Sequence, residues 1–205
     1  MYLPPAFAED RRAGLTQFIV ALPDPKVSVT PILNMAGRHE FNEVRFDGCF
    51  VPDEKVVGEV GQGWKVVTDE LALERSGPDR LMSSYDLLRR LADEVGPEPD
   101  RFAAVGLGRL VAQLATLRHL SRSVAGMLEA GRSPVGEAAL VKDLGNLHEQ
   151  AVPEVARQLV PSLPSLASED GFQRSLAETL LHAPSFTIRG GTTEILRGLA
   201  ARYLS

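Results

Sequence analysis

"EKVVGEVGQGWKVVTDELALERSGPDR", from Glu54 to Arg80, is the stretch in which the chain changes from strands to helices. Before Gly63 the signals are strand-like. "GLTQFIVAL" (Gly14 to Leu22) is rich in β-formers, and "KVSVTPI" (Lys26 to Ile32) alternates Val27 and Val29 with Ser28 and Thr30. "FNEVRFDGCFVP" (Phe41 to Pro52) carries an Asp47-Gly48 turn signal. After Gly63, periodicity predicts helices near Trp64–Leu91, Arg101–Glu129, Val135–Leu159, Ser168–Leu181 and Thr192–Leu204. "GPEPD", "AGRSP" and "PSLPS" separate most of them, and helices this long with short connections predict an antiparallel bundle. The expected fold class is α+β, mainly α: a partial antiparallel β-domain over residues 1–60, then a four-helix bundle over residues 61–205.

About three strands make a sheet that needs a covered face. The opening "MYLPPAFAEDRRAG" also runs into a strand as an internal loop of a larger sheet would. The expectation is therefore the latter part of something longer, or a subunit completed by another chain.

At 205 residues, 44% hydrophobic and 24% charged, the chain has the make-up of a globular protein of one large or two small domains. A net charge of −5 excludes a general attraction to nucleic acid or anionic membrane. No apolar run approaches the roughly 20 residues that span a bilayer, and no basic-then-apolar leader follows Met1. Cys49 is the only cysteine, which rules out an intrachain disulfide and a Cys-based zinc site. A cytoplasmic protein is expected.

In the first long helix, Trp64, Val67 and Leu71 fall on one face, and the next position of that stripe is Glu74. Pro78, four residues on and preceded by Gly77, has no N–H for the carbonyl of Glu74, so a kink or opening is expected there. A carboxylate on a buried stripe beside a distorted turn suits a general base facing a pocket, its pKa raised by desolvation. The competing reading pairs Glu74 with Arg75, Arg80 or an arginine of a neighbouring helix.

Other candidates carry less. "GEVGQG" (Gly58 to Gly63) reverses the glycine spacing of the dinucleotide fingerprint and has no βαβ unit after it, so it reads as a boundary loop. His39, His119, His148 and His182 share no metal-ligand spacing, and no nucleophile elbow is present.

Near the end, "IRGGTTEILRGLAARYL" (Ile188 to Leu204) leads two glycines and two threonines into the last helix. Gly191 as N-cap puts Glu194 at the third helical position, with Ile195, Leu199 and Tyr203 as the inward stripe. A Gly-Gly-Thr approach leaves main-chain N–H groups open to a ligand, with Thr192 and Thr193 adding hydroxyls. A plain capped terminal helix is the competing reading.

Three stretches together, "FNEVRFDGCFVPDEKVVGEVGQGWKVV", "LALERSGPDR" and "IRGGTTEILRGLAARYL", resemble the acyl-CoA dehydrogenase family over nearly the whole chain. The resemblance implies the second half of that family's middle β-domain followed by its C-terminal four-helix bundle. It implies FAD as cofactor, an acyl-CoA substrate oxidised at its α,β carbons, an electron-transfer flavoprotein as acceptor, and homo- or hetero-oligomers of such subunits. In the family the terminal loop lies against FAD, so Gly191, Thr192 and Glu194 match cofactor-contacting positions. Many members carry their catalytic glutamate one residue before the Gly-Thr, where this chain has Gly190. Another branch places the base on the first helix of the C-terminal domain ahead of an arginine, which here is Glu74 followed by Arg75, the latter at a substrate-binding position. The chain departs from the pattern in lacking the N-terminal helical domain, the early β-domain segment and an "RxQFG"-type stretch, Arg101 standing at that place. The expected function is an FAD-dependent acyl-CoA dehydrogenase, truncated or completed by a partner. The rival is a non-catalytic structural subunit that braces a full-length paralogue.

Overall fold

The computed structural model describes residues 12–203, leaving the side chains of Ala72 and Arg80 aside. Leu204, the last residue of the expected terminal helix, and the Arg80 pairing considered for Glu74 lie outside the described residues. The chain divides into two compact units, one through Leu71 and one from Ala72, and the division falls inside the first helix.

The first unit has four short strands where about three are expected: β1 (Gln17–Phe18), β2 (Val27–Leu33), β3 (His39–Phe46) and β4 (Val56–Val57). They form two separate two-stranded antiparallel pairs, β1 with β4 and β2 with β3. The β2–β3 hairpin closes around Asn34, whose side chain accepts from the N–H groups of Ala36 and Arg38. The Asp47-Gly48 signal instead ends β3, where Asp47 N–H donates to Lys26 O. Register places Val27 opposite Phe46 and Val29 opposite Val44, so apolar side chains line one face. That face is open: Val29 is 46% exposed, Val44 45% and Phe46 57%.

α1 (Gly63–Ser76) starts where its first residue meets the segment before β1. Gly63 N–H donates to Leu15 O at 2.7 Å, and a Cβ on Gly63 would lie 2.8 Å from that same oxygen. Only glycine permits this approach, which explains the last glycine of "GEVGQG" without a ligand. α1 ends at Ser76. The expected single helix continues as α2 (Asp79–Met82) and α3 (Tyr85–Val95), because Gly77 and Pro78 break it.

α4 (Arg101–Glu129) and α5 (Val135–Leu159) have the expected bounds. The Asp100 side chain caps α4 by accepting from Ala103 N–H at 2.8 Å. α6 (Gly171–His182) starts three residues later than expected, because Asp170 caps it, its side chain accepting from Phe172 N–H at 2.8 Å. A 3-10 turn (Ala183–Thr187) and the Gly190-Gly191 loop lead to α7 (Thr193–Tyr203).

Four helices share the main core: Leu87, Leu88 and Leu91 of α3, Leu110 of α4, Val152 and Ala156 of α5, Phe172 and Leu176 of α6. Full burial of each large aliphatic there contributes about 1.5–3 kcal/mol. α5 is the central element, meeting α2, α3, α4, α6, the 3-10 turn and α7. The α+β, mostly helical class holds.

The open face of the hairpin predicts that the chain on its own associates. Light scattering should show an apparent mass rising with concentration, and a concentration-independent monomer would count against it. A second prediction concerns His148, buried between α4 and α5, its Nδ1 3.4 Å from Gln113 Oε1 beside a cavity of about 300 Å³. Burial lowers its pKa from 6.5 to about 4. The unfolded chain therefore binds this proton more readily, and stability present above pH 6.5 is lost as pH falls toward 4. The loss should reach about 3 kcal/mol in urea titrations and shrink in His148→Gln; an equal acid loss in that variant would refute the assignment.

Candidate functional site

Glu74 and Arg75 lie in the last turn of α1, next to the break at Gly77. Glu74 is half-buried. Along the expected stripe, Val67 and Leu71 are half-buried while Trp64 is 43% exposed, with the Arg12 guanidinium 5.0 Å from its ring centroid. The more deeply buried residue of the turn is Arg75, at 7% exposure. Its Nε–H donates to Gly190 O at 2.9 Å. Desolvation pulls the Arg75 pKa below the usual guanidinium range, and the neighbouring Glu74 carboxylate opposes that shift.

Gly190 and Gly191 have φ of +70° and +116°, conformations that L side chains rarely adopt. A Cβ on Gly191 would lie 3.3 Å from Leu196 Cδ2 and 3.5 Å from Arg75 Nη2. Substitution there therefore strains the loop whatever else contacts it. Leu196 N–H donates to Thr192 O at 2.9 Å, so Thr192 rather than Gly191 is the cap of α7, and Glu194 is its second residue. The Glu194 carboxyl is held below its usual range by its own main-chain N–H first, then by the Thr192 hydroxyl, with Arg197 adding attraction. The N–H groups of Gly191, Thr192 and Thr193 have no acceptor among the described residues. Three open donors at a helix N-terminus form a place for an acceptor-rich group.

The inward face of α7 is rotated from the expected one. Leu196 is fully buried, whereas Ile195 and Tyr203 are each 56% exposed and Leu199 is half-buried. Packing of α7 against α5 selects Leu196.

Sequence reasoning missed the polar face of α5 that holds this loop. Lys142, Asn146 and Glu149 are buried at helical spacing. The Lys142 ammonium donates to Asn146 Oδ1 and, at 2.7 Å, to Phe186 O. Arg189 Nη2 donates to both Glu149 oxygens at 3.2 and 3.0 Å and to Ser83 Oγ at 2.6 Å, while Ser83 N–H donates to Glu149 Oε1. The Arg189 guanidinium also lies 4.8 Å from the centre of the Phe186 ring. Burial raises the Glu149 carboxyl, and the bonds from Ser83 and Arg189 pull it back. Six residues nearer the start of α5, Asp143 accepts from Arg197 Nε at 3.0 Å. The available signal was a polar stripe at positions 142, 146 and 149 inside a helix too central to be solvated. Pro153 marks the same region, since it leaves the Glu149 carbonyl without its intrahelical donor. Among the described residues, no group of three or more His, Cys, Asp or Glu could hold a metal ion, and no helix is long and apolar enough to cross a membrane.

Comparison with known proteins adds the following. The model of the family "acyl-CoA dehydrogenase, C-terminal domain" matches residues 100–205. Acyl-CoA dehydrogenase FadE34 of Mycobacterium tuberculosis is 30% identical over 200 residues, covering 95% of this chain and 27% of that protein. Butyryl-CoA dehydrogenase from Megasphaera elsdenii superposes with a TM-score of 0.80 at 20% identity, over 95% of this chain and 52% of that one. The ChsE4–ChsE5 complex from Mycobacterium tuberculosis gives 0.75 at 20% identity, over 95% and 53%. At these identities the two structures speak for the fold alone. The chain thus spans between a quarter and about half of the relatives it matches.

The buried Glu149–Arg189 contact yields a stability prediction. Arg189→Met leaves a fully buried carboxylate without its cation and should cost about 3 kcal/mol in urea unfolding. Arg189→Met with Glu149→Leu should recover most of that loss. A single variant as stable as the parent would show that the pair does not hold the loop.

Proposed function

The chain belongs to the acyl-CoA dehydrogenase family, and from that premise we propose that it contributes the base and the cofactor loop of an FAD-dependent acyl-CoA dehydrogenase. One observation carries the reading. Arg75, beside the candidate base, donates to Gly190 O in the candidate cofactor loop at 2.9 Å, joining two sites that are 115 residues apart in sequence.

The residues present fit a flavin. Two glycines and three open main-chain donors at the start of α7 suit its heteroatom-rich edge, with Gly191, Thr192 and Glu194 at the contacting positions. When bound, FAD supplies the acceptor for a hydride from the substrate β-carbon. Glu74 takes the α-proton onto its carboxylate. Gly190 offers no carboxylate at the alternative position, so Glu74 is the base in this reading. Arg75, at the position the family pattern assigns to substrate, borders the same site.

The substrate is an acyl-CoA thioester, and an electron-transfer flavoprotein takes the electrons onward. The proposed setting is cytoplasmic, and the assembly a homo- or hetero-oligomer of acyl-CoA dehydrogenase subunits. The similar fold of the ChsE4–ChsE5 complex, a pair of different chains by its name, supports the mixed form. Residues 1–60 act in this reading as part of a β-domain and 61–205 as the bundle. A subunit that only braces a full-length paralogue is the rival: it purifies colourless and shows flavin only through its partner.

Glu74→Gln keeps size and hydrogen bonding while removing the proton acceptor. Folding and flavin binding should survive, and flavin reduction by acyl-CoA in anaerobic stopped-flow of the reconstituted complex should slow by about 100- to 10,000-fold. A structural role predicts lost stability with near-normal reduction per folded molecule, and near-parental bleaching of the flavin would end the assignment.

A further inference from the structure

We infer that Arg75 is a positioning residue: it clamps the Gly190-Gly191 loop and sets the direction of the open N–H groups before α7, acting on cofactor and substrate through that loop. The inference rests on the reading of the loop as a flavin site, and refines the role of Arg75 within it.

Access argues for the clamp. A guanidinium at 7% exposure presents little surface to a CoA phosphate or an acyl group. Its Nε–H is already committed to Gly190 O, and its Nη2 packs beside Gly191, 3.5 Å from where a Cβ would stand. The glycine at 191 is explained by its φ of +116° and by Leu196 Cδ2, 3.3 Å from where a Cβ would stand, with the guanidinium packed in contact beside it.

The loop also needs a restraint. Two successive glycines lose more conformational freedom on ordering than any other pair, and directional contacts must offset that cost. On one side the loop is held by Arg189, bonded to Glu149 and Ser83, and by Lys142 through Phe186 O. The side-chain bond to Gly190 itself comes from Arg75. Without it the two glycines hang between Arg189 and the Thr192 cap, and the N–H groups of Gly191, Thr192 and Thr193 no longer share one direction.

The partner of this cation is equally specific. Burial disfavours the charged guanidinium and the adjacent Glu74 carboxylate favours it. The charge of the proposed base thus offsets part of the cost of burying the cation that holds the proposed cofactor loop. A lysine keeps the charge but lacks a donor midway along a planar fork, so Arg75→Lys separates hydrogen bonding from charge.

The test uses the full 205-residue chain and three measurements. In Arg75→Lys, backbone order parameters of Gly190 and Gly191 from nitrogen relaxation should fall from about 0.85 to below about 0.6, with those of Val124 and Val141 in the core unchanged. FAD affinity of the reconstituted assembly should weaken by about 10- to 100-fold, the range expected when a charged donor loses its acceptor. In the unsubstituted chain, the Arg75 Nε–H should exchange with solvent more slowly than that of the exposed Arg118, a measurement that stands if Arg75→Lys fails to fold. Unchanged order at the glycines, loosening spread equally over the core, or an unprotected Nε–H would each overturn the clamp. Loosened glycines with unchanged FAD affinity would uphold the clamp and sink the flavin reading of the loop.

Discussion

A helix packed on nearly every side cannot carry charged groups unless the rest of the fold supplies their partners, and α5 is such a helix. Lys142, Asn146 and Glu149 are buried, and the segment from Phe186 to Arg197 brings the groups that complete this face: a carbonyl for Lys142, Arg189 for Glu149 and Arg197 for Asp143. An apolar α5 would hold the 3-10 turn and α7 by area alone, which leaves rotation and register loosely specified. Directional bonds at two levels along the helix, at residues 142–143 and at 149, fix both. The glycine loop lies inside that span and inherits its precision from its neighbours rather than from its own residues.

This arrangement explains which parts of the fold could be read from the sequence. The bounds of α4 and α5 were legible because each is long, periodic and closed by Pro or Gly. Local polar chemistry displaced the shorter elements. The helix was expected from Ser168, yet the Ser168 hydroxyl accepts from Asp170 N–H and donates to Gln173, leaving Asp170 to cap α6. The β region was legible as strands, although two hairpin-like pairs replace one sheet. The inward face of α7 was not legible, because apolar residues occur at both 195 and 196 and contact with α5 chooses the second. Of the candidate site, the residue types at 74, 75 and 190–194 were visible. The polar face of α5 was not, since periodicity counts apolar positions and reads a Lys, Asn or Glu between them as a solvated face.

Glycine does two different jobs along the chain, and the sequence alone does not separate them. Gly63 lets main chain cross main chain, with Leu15 O too near for any side chain, and this accounts for it fully. Gly191 is hemmed in by Leu196 and Arg75, which are side chains, so its surroundings could in principle give way while its backbone conformation could not. The first glycine belongs to the architecture. The second stands where conformation, a buried cation and open N–H groups coincide, and that coincidence distinguishes a candidate site from a tight turn.

The neighbouring positions of Glu74 and Arg75 follow from helix geometry. Successive residues on an α-helix project about 100° apart, so an adjacent acid and base do not face each other as a pair at i and i+4 does. Glu74 is half-buried while Arg75 is driven inward to Gly190. The two still interact through space, since the Glu74 charge supports the desolvated guanidinium. On an unbroken helix the i+4 neighbour of Glu74 would stand at position 78. That position holds Pro78, which with Gly77 ends this helical run and keeps the turn after Glu74 from continuing. Adjacency thus couples the Glu74 charge, through the buried Arg75, to the carbonyl of Gly190, and the break at Gly77 and Pro78 ends the helix just beyond that link.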